Sequence, residues 1–192
     1  MIYLLRHGQT AYNAERRMQG HLDTPLNAKG EAQARAMAAT LADLIPDPTG
    51  WRLIASPLGR AQQTAAAVSA ALSLPIETDH RLIEVTVGDW EGRLVDEVRQ
   101  TQAALMDRLD WCFCAPGGET YPQMAERIAA FLAEVAEDDH LILVCHGVSG
   151  RVLRGLYQDL PRDEALALPA PQDGFFRLSG RGAERIDCLQ AT

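Results

Sequence analysis

Apolar residues in this chain fall into short unbroken runs separated by longer stretches of helical periodicity. Residues 2–5 and 141–144 are four-residue apolar runs bounded by polar residues and glycine, the pattern of strands buried on both faces. Residues 52–55 and 75–82 predict two more strands, and 175–178 and 185–189 predict two late ones at the sheet edge. Helices are predicted between them. Asn27 is a plausible N-cap for an alanine-rich stretch reaching Ile45, in which Met37, Leu41, Leu44 and Ile45 recur at helical spacing. The 46–50 stretch, Pro-Asp-Pro-Thr-Gly, stops it. Ser56 and Pro57 offer an N-cap and a first-turn proline for a helix running to about Leu72. Helices are also expected from Val95 to about Leu109, over 121–136, and after Gly147, with polar loops over 7–26 and 84–92. Strands alternating with helices predict an α/β fold: a three-layer α/β/α sandwich around a mostly parallel sheet.

At 192 residues and 21.0 kDa, 47% hydrophobic and 23% charged, the chain has the composition of one globular domain, 1–192. A formal net charge of -8 without a basic run argues against nucleic acid or an anionic membrane as partner. Any anion site must therefore concentrate its few cations locally. The N-terminal apolar run ends at Arg6, well short of a signal peptide, and no stretch approaches membrane-spanning length, so a cytoplasmic location is expected. Cys112, Cys114, Cys145 and Cys188 lack the spacing of a zinc site and read as reduced, mostly buried thiols. Trp111 and Phe113 suit either the core or a homo-oligomeric interface.

The candidate chemistry lies at the strand ends, where open parallel sheets bind ligands. Arg6 and His7 follow the first strand, Arg60 sits one turn into the helix after the second, Glu84 follows the third, and His146 follows the run 141–144. Gly8 would leave room for a ligand beside the backbone. Two guanidinium groups, two imidazoles and a carboxyl at one edge suit a phosphoryl group, with Arg6 and Arg60 offering two-pronged hydrogen bonds to its oxygens. His7 would be the nucleophile, forming a phosphohistidine that water cleaves. His146 would bond the phosphoryl oxygens, as a cation in one version of the scheme. Glu84 would protonate the leaving oxygen and then activate water; Glu91 and Asp89 compete for that role. His21, His80 and His140 read as structural, and no histidine pair has metal-ligand spacing.

These residues belong to a larger series. Arg6-His7-Gly8-Gln9-Thr10 and Asn13, then Gly20, Asp23, Pro25-Leu26, Gly30 and Gln33-Ala34, resemble the signature stretch of the histidine phosphatase superfamily, the phosphoglycerate mutase-like group. Ser56-Pro57-Leu58 with Arg60-Ala61 and Gln63-Thr64 resembles its second block. Glu84, Gly88 and Trp90-Glu91-Gly92 resemble the third. Pro116-Gly117-Gly118-Glu119 and Val144-Cys145-His146-Gly147 complete it. The resemblance implies a phosphoglycerate mutase-like fold and a phosphoryl group carried on His7. It also implies a phosphate pocket of Arg6, Arg60 and His146, and a proton donor at Glu84 in preference to Glu91. Asn13 would contact the phosphoryl group, and Gln19, Gly20 and the backbone of Gly147 would line the site. Neither cofactor nor metal is implied, and the expected partner is a small phosphorylated metabolite, an anionic phosphomonoester. The segment 93–115 is short where the mutases carry a basic insert that holds a second phosphate. A phosphatase is therefore expected over a mutase, and both over a non-catalytic phospho-ligand binding protein. The tail after Pro161 carries no specificity signal.

Overall fold

The computed structural model describes residues 1–188. Its elements run β1 (Ile2–Arg6), α1 (Ala11–Ala14), α2 (Ala28–Leu44), β2 (Trp51–Ala55), α3 (Gly59–Leu72), β3 (Ile76–Thr78), α4 (Val95–Thr101) and α5 (Ala103–Met106), then α6 (Tyr121–Leu132), β4 (His140–Cys145), α7 (Gly147–Tyr157), α8 (Arg162–Ala167), β5 (Gly174–Ser179) and β6 (Gly182–Asp187). One six-stranded sheet has the order β3-β2-β4-β1-β5-β6. The first four strands pair in parallel, while β5 runs antiparallel to both β1 and β6. The predicted α/β/α sandwich is borne out.

Period-two alternation sorts each strand between two cores. Tyr3, Leu5, Leu53, Ala55, Ile142 and Val144 pack against α2 and α3 on one face. Ile2, Leu4, Ile54, Leu141, Leu143 and Cys145 pack against α6 and α7 on the other. Strands buried on both sides have no polar face to show, which is why β1 and β4 read as continuous apolar runs.

Several expectations are corrected. Residues 7–26 are not loop throughout: Thr10 and Asn13 form a capping box that starts α1, each side chain accepting the other's backbone N–H. In α2, Asn27 caps as expected by accepting from the Gly30 N–H, but Leu44 at the final position is 41% exposed. Ser56 does not cap α3. That helix begins at Gly59, whose N–H is satisfied by Asp23 Oδ2 from a distant loop, at 2.7 Å. The third strand ends at Thr78, because Asp79 accepts the Arg81 N–H and turns the chain into a 3₁₀ turn over His80–Leu82. The 84–92 loop likewise contains a 3₁₀ turn, Gly88–Trp90. The helix expected from Val95 to Leu109 breaks at Gln102. Only Val98 and Met106 of its two pieces are buried, so packing cannot hold one long helix. The 121–136 helix stops at Leu132, its end tightened by i→i−3 bonds from Glu134 and Val135. Of the two late strands only β6 is an edge; β5, with Phe175 fully buried, lies between β1 and β6. Leu189, the predicted end of β6, lies outside the described residues.

The central strands β1, β4 and β2 end in register, Arg6 opposite Cys145 and Ala55 opposite Val144. Backbone bonds continue the ladder one residue past the ends, from His7 N–H to the Cys145 carbonyl (3.0 Å) and from Ser56 N–H to the Val144 carbonyl (2.9 Å). His7, Ser56 and His146 thus emerge side by side.

Candidate active site

Arg6, His7, Asn13, Gln19, Gly20, Arg60 and Glu84, drawn from five separate segments, line one cavity of about 160 Å³. His146 stands directly behind His7, the ring centroids 5.1 Å apart. Gly147 abuts the Arg6 guanidinium and the Glu84 carboxylate: a Cβ there would lie 3.6 Å from Arg6 Cζ and 3.7 Å from Glu84 Oε2. All nine residues singled out from the sequence meet at this one place.

His7 is 3% exposed, and its Nδ1 lies 2.7 Å from the Gly8 carbonyl oxygen. A carbonyl can only accept, so Nδ1 carries the proton and Nε2 keeps its lone pair. Burial first, then the Arg60 and Arg6 charges, hold this imidazole well below its ordinary pKa. His146, 1% exposed, is lowered in the same way, by burial first, then by His7, Arg60 and Arg6. Burial and the neighbouring guanidinium charges thus disfavour a cationic His146. Ser56 Oγ lies 2.7 Å from His146 Nε2. His146 Nδ1 is buried without a partner.

The two arginines are pinned by backbone carbonyls. Arg60 Nη1 donates to Leu22 (2.9 Å) and Nη2 to Gly20 (2.7 Å), while Arg6 Nη1 donates to Ala170 (2.6 Å). Each of these Arg60 nitrogens spends one N–H on the 20–22 loop and keeps another. The Nε of each arginine is buried without a partner. Burial lowers the pKa of both guanidiniums, but each remains a cation at neutral pH. Arg6 Nε, Arg60 Nε and His146 Nδ1 are the full set of buried, unpartnered side-chain polar atoms among the described residues. Two stranded guanidinium donors and an unpartnered ring nitrogen are costly unless a ligand satisfies them.

Glu84 sits across the N-terminus of α7. Its Oε2 accepts from Val148 N–H (3.0 Å), and its Oε1 accepts from Ser149 N–H (2.9 Å) and Val85 N–H (3.0 Å). Glu91 turns elsewhere, accepting from the Thr86 hydroxyl (2.7 Å) and the His21 N–H (2.9 Å), and so braces the 20–22 loop. Asp89 does not line the cavity either. Among the described residues no group of three His, Cys, Asp or Glu side chains is placed to hold a metal; the donors at the cavity suit an oxyanion.

Gly8 plays a different part from the one expected. Its Cα packs against the α2 backbone, where a Cβ would collide with the Gly30 carbonyl. The glycine lets helix and catalytic loop touch, and gives no room to a ligand. Sequence reading also missed Thr64, whose hydroxyl accepts the Gly8 N–H at 3.1 Å, and Trp111, which lines the cavity wall with Val85, Val87 and Val95. Thr64 and Ser56 stood inside recognised blocks, so their place in the resemblance was the available signal. Cys112 also lines the wall, its thiol pushed up to about 12 by burial and hence unreactive.

The sequence model of the histidine phosphatase superfamily (branch 1) matches residues 2–184. The chain belongs to the histidine phosphatase superfamily. Among superfamily relatives, a probable phosphoglycerate mutase, GpmB, of Salmonella paratyphi C is 34% identical over 192 residues, covering 97% of this chain and 84% of the relative. A mycobacterial glucosyl-3-phosphoglycerate phosphatase solved in complex with VO3 is 31% identical, with a TM-score of 0.77 over 100% of this chain and 98% of the other. YhfR of Bacillus stearothermophilus is 30% identical, with a TM-score of 0.79 over 97% and 95% of the two chains. As in other superfamily enzymes, the activity to be assigned is a phosphatase or a mutase. Among the described residues no helix is long and apolar enough to cross a membrane.

Proposed function

We propose that this enzyme is a metal-independent phosphomonoesterase that works through a phosphohistidine on His7. The observation that carries the proposal is the set of three unpartnered buried atoms: Arg6 Nε and Arg60 Nε, on residues that line the His7 cavity, and Nδ1 of His146, whose ring stands 5.1 Å from that of His7. They offer hydrogen bonds to the non-bridging oxygens of a phosphoryl group, joined by Asn13 from the cavity wall. Charge stabilisation by fixed donors is the main requirement of phosphoryl transfer.

In the first step His7 Nε2 attacks phosphorus. The P–N bond forms as the ester P–O bond breaks, and Glu84 gives its proton to the departing oxygen. In the second step the Glu84 carboxylate takes a proton from water. The resulting hydroxide displaces His7, breaking the P–N bond and releasing inorganic phosphate. His7 starts neutral, so no proton need leave the nucleophile before attack.

The name of the GpmB relative favours a mutase, which would return the phosphoryl group to a second substrate hydroxyl. Holding a bisphosphorylated intermediate needs cations beyond the first phosphate. Among the described residues Arg17 is the one further cation lining the cavity, and it is already engaged with Glu15 (2.7 Å) and the Gly92 carbonyl (3.0 Å). The rest of the wall is largely apolar. Hydrolysis is therefore the favoured reading.

The test is turnover of a panel of phosphomonoesters. His7→Ala should lose about 10⁴-fold or more in kcat, its fold intact by circular dichroism. Glu84→Gln should lose about 10²–10⁴-fold on alkyl phosphates and far less on activated aryl phosphates. Near-normal hydrolysis by His7→Ala rejects the nucleophile, and equal losses on both ester classes remove Glu84 from the acid role. Isomerisation of 3-phosphoglycerate faster than phosphate release would make the enzyme a mutase.

A further inference from the structure

We propose that Gln172, on the loop before β5, is a positioning residue that fixes the amide of Asn13 and the backbone of His7. This rests on the reading of His7 and Asn13 as phosphoryl-binding groups. Gln172 lies in the tail that carried no sequence signal, 165 residues from His7. Its Nε2 is 3.1 Å from the His7 carbonyl and 3.2 Å from Asn13 Oδ1.

Chemistry alone orients both amides. The Thr10 backbone N–H can only donate, so the Asn13 atom facing it at 3.2 Å is Oδ1. Gln172 then faces two acceptors, Asn13 Oδ1 and the His7 carbonyl, and must present its NH₂ to both. Asn13 Nδ2 in turn donates to Gln19 Oε1 at 3.2 Å, and Gln19 Nε2 bonds the Thr24 hydroxyl. The result is a directional chain, Gln172 to Asn13 to Gln19 to Thr24. Each amide in it has one allowed orientation. Asn13 Nδ2 has two hydrogens and spends one on Gln19, keeping the second for an anion in the cavity it lines. Without Gln172, the Asn13 oxygen loses one of its two donors, and the His7 carbonyl loses a partner.

The base of this device is rigid. Three guanidinium groups hold three successive carbonyls of the loop: Arg151 that of Leu168 (2.6 Å), Arg154 that of Pro169, and Arg6 that of Ala170 (2.6 Å). Arg151 and Arg154 come from α7 and Arg6 from β1. The loop that delivers Gln172 is thus fastened to the same two elements that deliver Arg6, His7 and His146. Arg154, 3% exposed, also lies over the Phe176 ring at 3.8 Å, anchoring the start of β5.

The experiment measures inorganic phosphate binding by calorimetry, together with ester turnover, for wild type, Gln172→Met, Gln172→Glu, Asn13→Ala and the Asn13→Ala/Gln172→Met double variant. Gln172→Met keeps the volume and removes the donor; phosphate affinity should fall about 10-fold with the thermal midpoint unchanged within a few degrees. Gln172→Glu sets acceptors against acceptors beside the anion, and should cost about 100-fold. In the Asn13→Ala background the Gln172→Met change should cost about 3-fold or less, because much of its effect runs through Asn13. The same loss in both backgrounds, or wild-type phosphate affinity in Gln172→Glu, overturns the proposal. If wild type binds phosphate in this pattern but hydrolyses no ester, the hydrolase reading fails and the role of Gln172 stands.

Discussion

The two sides of the cavity are built by different means. On the proposed function, the phosphoryl side comes from the ends of β1, β2 and β4, where sheet hydrogen bonds lock His7 and Ser56, Ser149 Oγ accepts the His146 N–H, and all three residues are almost fully buried. The leaving-group side comes from residues 85–112: a 3₁₀ turn, two short helices split at Gln102, and a second 3₁₀ turn over Trp111–Phe113. Two of its ion pairs are surface pairs, Arg16 with Asp96 (3.3 Å) and Arg99 with Asp107 (3.2 Å), of a kind that contributes little to stability, while Arg108 and Arg162 converge on the buried Asp110. One side is built into the sheet, while the other is made of turns and short helices anchored to the core by Val85, Val87, Trp90, Val98, Met106 and Cys112. On the proposed function, the chemistry is tied to the sheet and substrate preference to the wall.

If that division holds, acid should find the phosphoryl side first. His7 and His146 have folded-state pKa values below those of the unfolded chain. The unfolded state therefore binds more protons as pH falls below about 6.5, and folding stability falls with it, by up to about 1.4 kcal/mol per pH unit for each histidine. The wall loses stability in the same direction but at lower pH. Asp110, bonded to Arg108 Nε and Nη2 and to Arg162, has a lowered carboxyl pKa, so its contribution persists until pH drops below the ordinary carboxylate range. Urea unfolding between pH 7.5 and 5 should show the steep loss in wild type and a flatter profile in His7→Asn/His146→Asn. Asp110→Asn should leave the slope in that window unchanged. A wild-type profile without slope there would show that the two imidazoles are not held neutral.

A smaller effect is expected from the wall. Trp111→Ala should lower kcat/KM about 10-fold for bulky aryl phosphates, through lost apolar contact, and change it little for small alkyl phosphates. Its phosphate affinity should match wild type. A uniform loss on every ester would mean that the wall also shapes the phosphoryl side, and the division would fail.

The same contrast decides what the sequence revealed. Strands β1 and β4 were legible because burial on both faces leaves only apolar residues, and their ends pointed to Arg6, His7 and His146. The break at Gln102 was not legible, because periodicity does not report that only Val98 and Met106 find a core to pack on. Ser56 looked like a cap because Ser-Pro is a strong local signal, yet Asp23 from another loop takes that place and frees the hydroxyl for His146. Gly8 was assigned to ligand access when its neighbour is the Gly30 backbone. Gln172 belongs to no recognised block, and its partners lie at the other end of the chain. Local signals found the elements and the chemistry-bearing residues; the long-range hydrogen bonds that aim them could be seen only once the chain was folded.

The most direct test of the account is to trap the covalent intermediate. Rapid quenching of the enzyme with a ³²P-labelled phosphomonoester should give a protein-bound phosphoryl group that is acid-labile and base-stable. It should map to the peptide containing His7, accumulate when Glu84→Gln slows its hydrolysis, and be absent from His7→Ala. Turnover at the normal rate with no adduct on His7, or an adduct that persists in His7→Ala, would contradict it.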